Sequence, residues 1–213
     1  MSFDIHGLDS VEPGSDKADK ALEAYQRTLL GLFASSPEGV AHTVRYPQMG
    51  YWAESLLFFS FSYLGTPLPQ MRLSDVEEVV TEIFPRKVSL RSPQDAQEVI
   101  PELLAFWEFL QREYALPVAP SVIARLRELE PNYTSIMNDS ARFGMAKSLF
   151  ALAQRTGFDM TKQDEANAFI EFYNSQLSKD SRASGTSKPP GKGNSMRKLR
   201  RKAARNPRKR KKN

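Results

Sequence analysis

The sequence predicts an all-α fold, a single irregular helical bundle or a set of stacked helix pairs of about seven helices, with a disordered basic C-terminal tail. Three observations predict it. Apolar residues recur at three- and four-residue spacing across residues 16–177, the period of a helix face. Almost no run of alternating residues competes, a few near Lys87-Val-Ser-Leu90 apart. From Ser178 to Asn213 the composition changes: this stretch holds 15 of the 30 Lys and Arg residues and one acid, Asp180. Its net charge is +14, against −9 for the rest. Met196 and Leu199 are its only sizeable apolar residues, too few to offset the entropy of ordering the chain. The chain therefore reads as a flexible leader (1–15), a helical domain (16–177) and a disordered polybasic tail (178–213).

Each element has its own signals. Pro13-Gly14 breaks the leader from a helix whose face is Leu22, Tyr25, Leu29, Leu32 and Phe33, ended by Ser35-Ser36-Pro37. A short piece follows near Gly39–Tyr46, closed by Pro47. Met49 to Leu64 is apolar nearly all round and reads as the buried central helix. Gly65-Thr-Pro-Leu-Pro69 breaks it. Ser74 with Glu77 three residues on reads as a capping box, and Pro85 as the limit of that helix. Ser92 caps a long segment to Tyr114, with Pro93 first and a kink expected at Pro101. Its buried face is Ala96, Val99, Ile100, Leu103, Trp107, Leu110 and Tyr114; its wet face is Gln94, Glu98, Glu102 and Arg112. Pro120 opens a helix through Ile123, Leu126 and Leu129. Ser140 starts another with Phe143, Ala146, Leu149, Phe150 and Ala153 on one face, and Gly157 is its left-handed end with Phe158 packed back over the last turn. Thr161, with Asp164, caps the final helix, striped by Phe169, Ile170, Tyr173 and Leu177.

Composition excludes much chemistry. Without cysteine there is no disulfide, thiolate zinc site, iron–sulfur ligation or cysteine nucleophile. His6 and His42 are too few for a multi-histidine metal site, so neither metal nor cofactor is expected. The start lacks the basic and apolar regions of a signal peptide, and Leu56–Leu64 falls short of a membrane span. These features imply a soluble cytoplasmic protein, nuclear if its source is a eukaryote.

No catalytic constellation emerges. Gly185-Thr-Ser-Lys-Pro-Pro-Gly191-Lys192 has the outline of a phosphate-binding loop, but the glycine spacing is one too long, Gly193 replaces the hydroxyl residue, and no strand precedes it. There is no Gly-x-Ser-x-Gly elbow. His42 reads as a partly buried histidine with one hydrogen bond. Glu77-Glu78 and Asp164-Glu165 oppose helix dipoles in first turns. The aromatic cluster Tyr51, Trp52, Phe58, Phe59, Phe61 and Tyr63 reads as core with one edge left for a protein partner or a second copy. Phe84-Pro85-Arg86-Lys87-Val88 offers a secondary phosphate contact through Arg86 and Lys87, unless Arg86 pairs with an acid such as Glu82.

The strong signal is the tail. Arg197, Lys198, Arg200, Arg201, Lys202, Arg205, Arg208, Lys209, Arg210, Lys211 and Lys212 form a run without an acid. Such a segment binds polyanions by releasing condensed counterions, which needs no base readout. It has no aromatic residue to stack on bases. It also has the pattern of a bipartite nuclear import signal.

Two stretches carry a resemblance: Glu82-Ile-Phe-Pro-Arg-Lys-Val-Ser89, and Arg142-Phe-Gly-Met-Ala-Lys-Ser-Leu-Phe150 running on to Phe172-Tyr-Asn174. Residues 50–177 resemble a group of bacterial all-helical proteins of unsettled activity, some longer members of which are followed by a SEC-C-type zinc motif. The resemblance implies a bacterial cytoplasm. It carries no metal site over, because this chain has no cysteine. The expected function is a non-catalytic helical adaptor whose tail holds nucleic acid, RNA or the ribosome before specific DNA. The alternative is an enzyme with a pocket in the helical body.

Overall fold

The computed structural model describes the backbone of residues 3–183 and the side chains of residues 3–175. Among them every regular element is helical, as the periodicity predicts. The chain divides into two compact units, Met1–Arg155 and Thr156–Asn213.

In the first unit, α1 (Asp16–Ser35) begins at Ser15, whose side chain accepts from the Ala18 N–H at 3.2 Å. α2 (Pro37–Arg45) is capped by Ser36 in the same way. α3 (Tyr51–Leu64) is followed by α4 (Leu73–Glu78), a π turn (Val79–Ile83) and α5 (Phe84–Lys87), which together form one continuous rod. A 3-10 turn (Pro93–Glu98) leads into α6 (Val99–Tyr114). α6 is the hub: α7 (Ala119–Asn138), α2 and α3 all pack on it. Phe33, Phe106, Trp107, Leu110 and Leu126 meet there, essentially without exposure. α8 (Met145–Arg155) closes the unit against α5. In the second unit α9 (Gln163–Ala183) carries Phe169 and Tyr173 on one face, and Phe158 lies against Phe169 and Phe172.

Several expectations need correction. Residues 3–12 are no loose leader: Ile5 and Leu8 are buried, Phe3 packs on Tyr25, and the Tyr25 hydroxyl donates to the Ile5 carbonyl at 2.9 Å. That burial and hydrogen bond dock the segment on α1. Ser74 lies inside its helix, where the Asp75 carboxylate takes the Arg72 N–H and Glu77 pairs with Arg125. Pro101 stands in the first turn of α6, where a missing N–H leaves no carbonyl unserved. Ser140 opens only a 3-10 turn, and α8 buries Lys147 while Ala146 faces solvent. Asp159 accepts from Thr161, and Glu165 rather than Asp164 reaches back to the Asp159 N–H. Gly157 is left-handed as expected, but Phe158 stacks on α9. α9 also runs past residue 177.

Candidate functional site

The stretch around Pro85 gathers most of the unusual chemistry. Proline has no N–H, and inside an α-helix its ring collides with the carbonyl one turn back. Here the helix does not stop. It widens: Phe84 donates to Val79 across a π turn, and the rod passes through Pro85 to Lys87. Carbonyls around the widened turn take donors from elsewhere. The Tyr133 hydroxyl donates to Val80 at 2.7 Å, and Arg142 donates to Thr81 at 3.0 Å. Lys147 Nζ donates to Pro85 at 2.8 Å. Gly144 donates its N–H to Arg86 at 3.0 Å, and a Cβ at Gly144 would stand 2.9 Å from that oxygen, so only glycine fits. Single-turn π bulges of this kind recur at functional sites.

Arg86 and Lys87 sit at the exposed end of this rod and form no ion pair among the described residues. Glu82 is held by Arg142 at 3.0 Å, not by Arg86. Lys87 Nζ lies 5.3 Å from the Tyr63 ring centre, within cation–π reach. Tyr63 is 53% and Phe58 41% exposed, and their rings are 6.1 Å apart. The helix that is apolar all round therefore does leave one edge bare, where Tyr51, Phe58 and Lys87 line a hollow of about 500 Å³.

Ser89, Leu90 and Arg91 line two further cavities. The first, about 410 Å³, is walled by Tyr51, Trp52, Asp95, Glu98 and Glu102. Glu102 is 2% exposed, which corrects its placement on the wet face. It serves as a remote cap. α3 starts at Gly50, whose φ of +103° suits glycine and which has no capping side chain of its own. Glu102 Oε1 reaches from α6 and accepts from the N–H groups of Trp52 at 2.8 Å and Ala53 at 2.9 Å. Burial pushes its carboxyl up to about 7, against the pull of these backbone donors and that of Gly50. Beside it the Ser92 hydroxyl and nearby backbone N–H groups hold Asp95 below the usual carboxylate range.

The second cavity, about 560 Å³, is lined by Arg91, Ser92, Ser140, Lys147, Ser148 and Arg155, among others. Lys147 is 7% exposed; besides Pro85 it donates to Met137 at 3.3 Å, and the Phe143 ring centre lies 4.1 Å away. Burial without an acid beside it lowers its amine to about 8.

His42 is buried, and its Nε2 has no hydrogen-bond partner among the described residues. Its ring stacks on Tyr46, and burial holds its pKa down. The loop Gly185–Gly193 and all eleven basic residues from Arg197 to Lys212 lie outside the described residues. Among the described residues no three His, Asp or Glu side chains gather to hold a metal, and no helix is long and apolar enough to cross a membrane. No protein-family profile, no curated protein and no solved structure matches the chain.

Glu102 and Lys147 are the functional candidates that sequence reasoning missed. A signal for both existed. Glu102 stands three residues after Val99 and four before Phe106, and Lys147 stands four after Phe143 and three before Phe150. Each therefore shares a helix face with apolar residues, where an ionisable group needs a partner.

Proposed function

We propose that this chain is a non-catalytic helical adaptor of the bacterial cytoplasm that holds nucleic acid, RNA or the ribosome, through its basic C-terminal segment. One observation carries the reading: half of the Lys and Arg residues stand in the last 36 positions, next to a chain that is otherwise net acidic. Charge segregated so sharply concentrates polyanion attraction in one segment. The bare edge of α3 supports the same reading. A strand held by the tail finds exposed Tyr63 and Phe58 for stacking and Lys87 and Arg86 for phosphate, the combination that single-strand binders use. On α2, Val40 and Val44 lie one turn apart and are exposed, which suits the protein partner of an adaptor.

Fluorescence anisotropy with labelled RNA and duplex DNA tests this. The proteins compared are the full chain, a chain ending at Ala183, and a peptide of residues 184–213. Contact with about 6–8 phosphates gives a slope of about −4 to −6 for log affinity against log salt on single strands. Nearly all affinity leaves with the tail. Equal binding by the shortened chain, or a flat salt response, overturns the reading.

A further inference from the structure

We propose that the cavity of about 560 Å³ between α8 and the Ser89–Ser92 segment is a binding site for a small phosphate monoester, with Lys147, Arg91 and Arg155 as its anion-holding residues. Its volume lies within the range of small-molecule sites. Three cationic side chains line it, and no Asp or Glu does. That composition is one-sided for a chain region that is net acidic overall, where several other cations are paired: Arg112 with Glu38, Arg125 with Glu77, Arg127 with Glu108. Among the described residues none of the three cations in this cavity forms an ion pair.

Lys147 is the anchor. An ammonium has three N–H donors, and the Pro85 and Met137 carbonyls take two of them. Those bonds fix the amine in place but leave its charge without an anion, inside a wall that also presents the hydroxyls of Ser140 and Ser148. A dianionic phosphate supplies the missing charge and enough acceptor oxygens for the amine, the guanidinium groups and the hydroxyls together. A carboxylate offers two oxygens and one charge, a poorer match to three cations. The Phe143 and Phe150 rings give the body of the ester an apolar wall. The site lies within the first unit and stands independently of the tail, whose residues stay unchanged in every variant below.

The test is isothermal titration of the full chain with adenosine monophosphate, inorganic phosphate and adenosine, at about 150 mM salt to screen the tail. The expected result is one-to-one binding of the monophosphate, weaker binding of phosphate and none of adenosine. Lys147→Met lowers the monophosphate affinity at least about tenfold, as loss of a charge-assisted contact does. Arg155→Glu does the same from the rim without touching the carbonyl bonds of Lys147. Ser148→Phe fills the cavity, keeps Lys147, and carries the test if Lys147→Met does not fold. The proposal is overturned if the wild type binds no monophosphate, if adenosine binds as well, or if Arg155→Glu and Ser148→Phe bind like wild type.

Discussion

The two cavities that share Ser89, Leu90 and Arg91 hold opposite solutions to one problem. On one side a buried acid, Glu102, gathers helix N–H groups; on the other a buried amine, Lys147, gathers helix carbonyls. Glu102 faces the first turn of α3, where the helix dipole is positive. Lys147 faces the ends of α5 and α7, where it is negative. Each charge therefore completes the termini of helices remote in sequence, Glu102 about fifty residues from its partners and Lys147 sixty-two from Pro85. Burial drives both toward neutrality, the acid up to about 7 and the amine down to about 8. The difference lies in company. Asp95 and Glu98 line the cavity of Glu102, whereas no Asp or Glu lines that of Lys147, so the second cavity is the one that suits an anion.

Breaking the acid side has the largest expected effect. Glu102→Ala strands two helix N–H groups in a buried place and costs about 2–4 kcal/mol of stability, read from urea unfolding. Glu102→Gln keeps the acceptor and sharpens the comparison through pH. Because the folded-state pKa is raised from 4.5 to about 7, the protonated form is the one folding favours. Its contribution is fully present below about 4.5 and is lost as pH rises to about 7, a swing of about 3 kcal/mol. The glutamine variant lacks this decline; if its pH profile follows the wild type, Glu102 is not the titrating group.

The amine side runs the other way. Lys147 has a folded-state pKa lowered from 10.5 to about 8, so the unfolded chain binds its proton more tightly. Stability therefore rises with pH between about 8 and 10.5, and Lys147→Met abolishes that rise. The same variant loses two carbonyl contacts and falls by about 1–3 kcal/mol at neutral pH. The smallest expected effect is Tyr133→Phe, which removes the donor to Val80 and costs about 1 kcal/mol in thermal or urea unfolding. No change there would mean that the π-turn carbonyl finds water instead.

Most of the helical layout is legible in the residues. The stripe from Ala96 to Leu110 is buried as written, Ser92 and Pro93 open their element, and Gly65 and Gly157 close theirs in left-handed conformation. These signals are local, and local geometry decides them. What escaped is non-local. Pro85 reads as a stop because the widened turn that accommodates it depends on Tyr133, Arg142 and Lys147, all far along the chain. Glu102 reads as solvent-facing, and Lys147 draws no reading, because charge is the default mark of a wet face and the helix ends that claim them are invisible to periodicity. Ile5 and Leu8 are too few to show a period, yet α1 covers them.

The π turn at Val79–Ile83 has a consequence for how this gene can change. A π turn holds one residue more than the α turn it replaces. Deleting any one of the five restores the α turn and leaves the helix in register on both sides, but it removes the widening that admits the Pro85 ring. The ring then collides with the carbonyl one turn back, a cost of about 3 kcal/mol. The segment is therefore a counter rather than a code: its five side chains can be exchanged for others of similar size far more readily than their number can be altered. Across descendants of this sequence, point substitutions should accumulate between Val79 and Ile83 while insertions and deletions stay out.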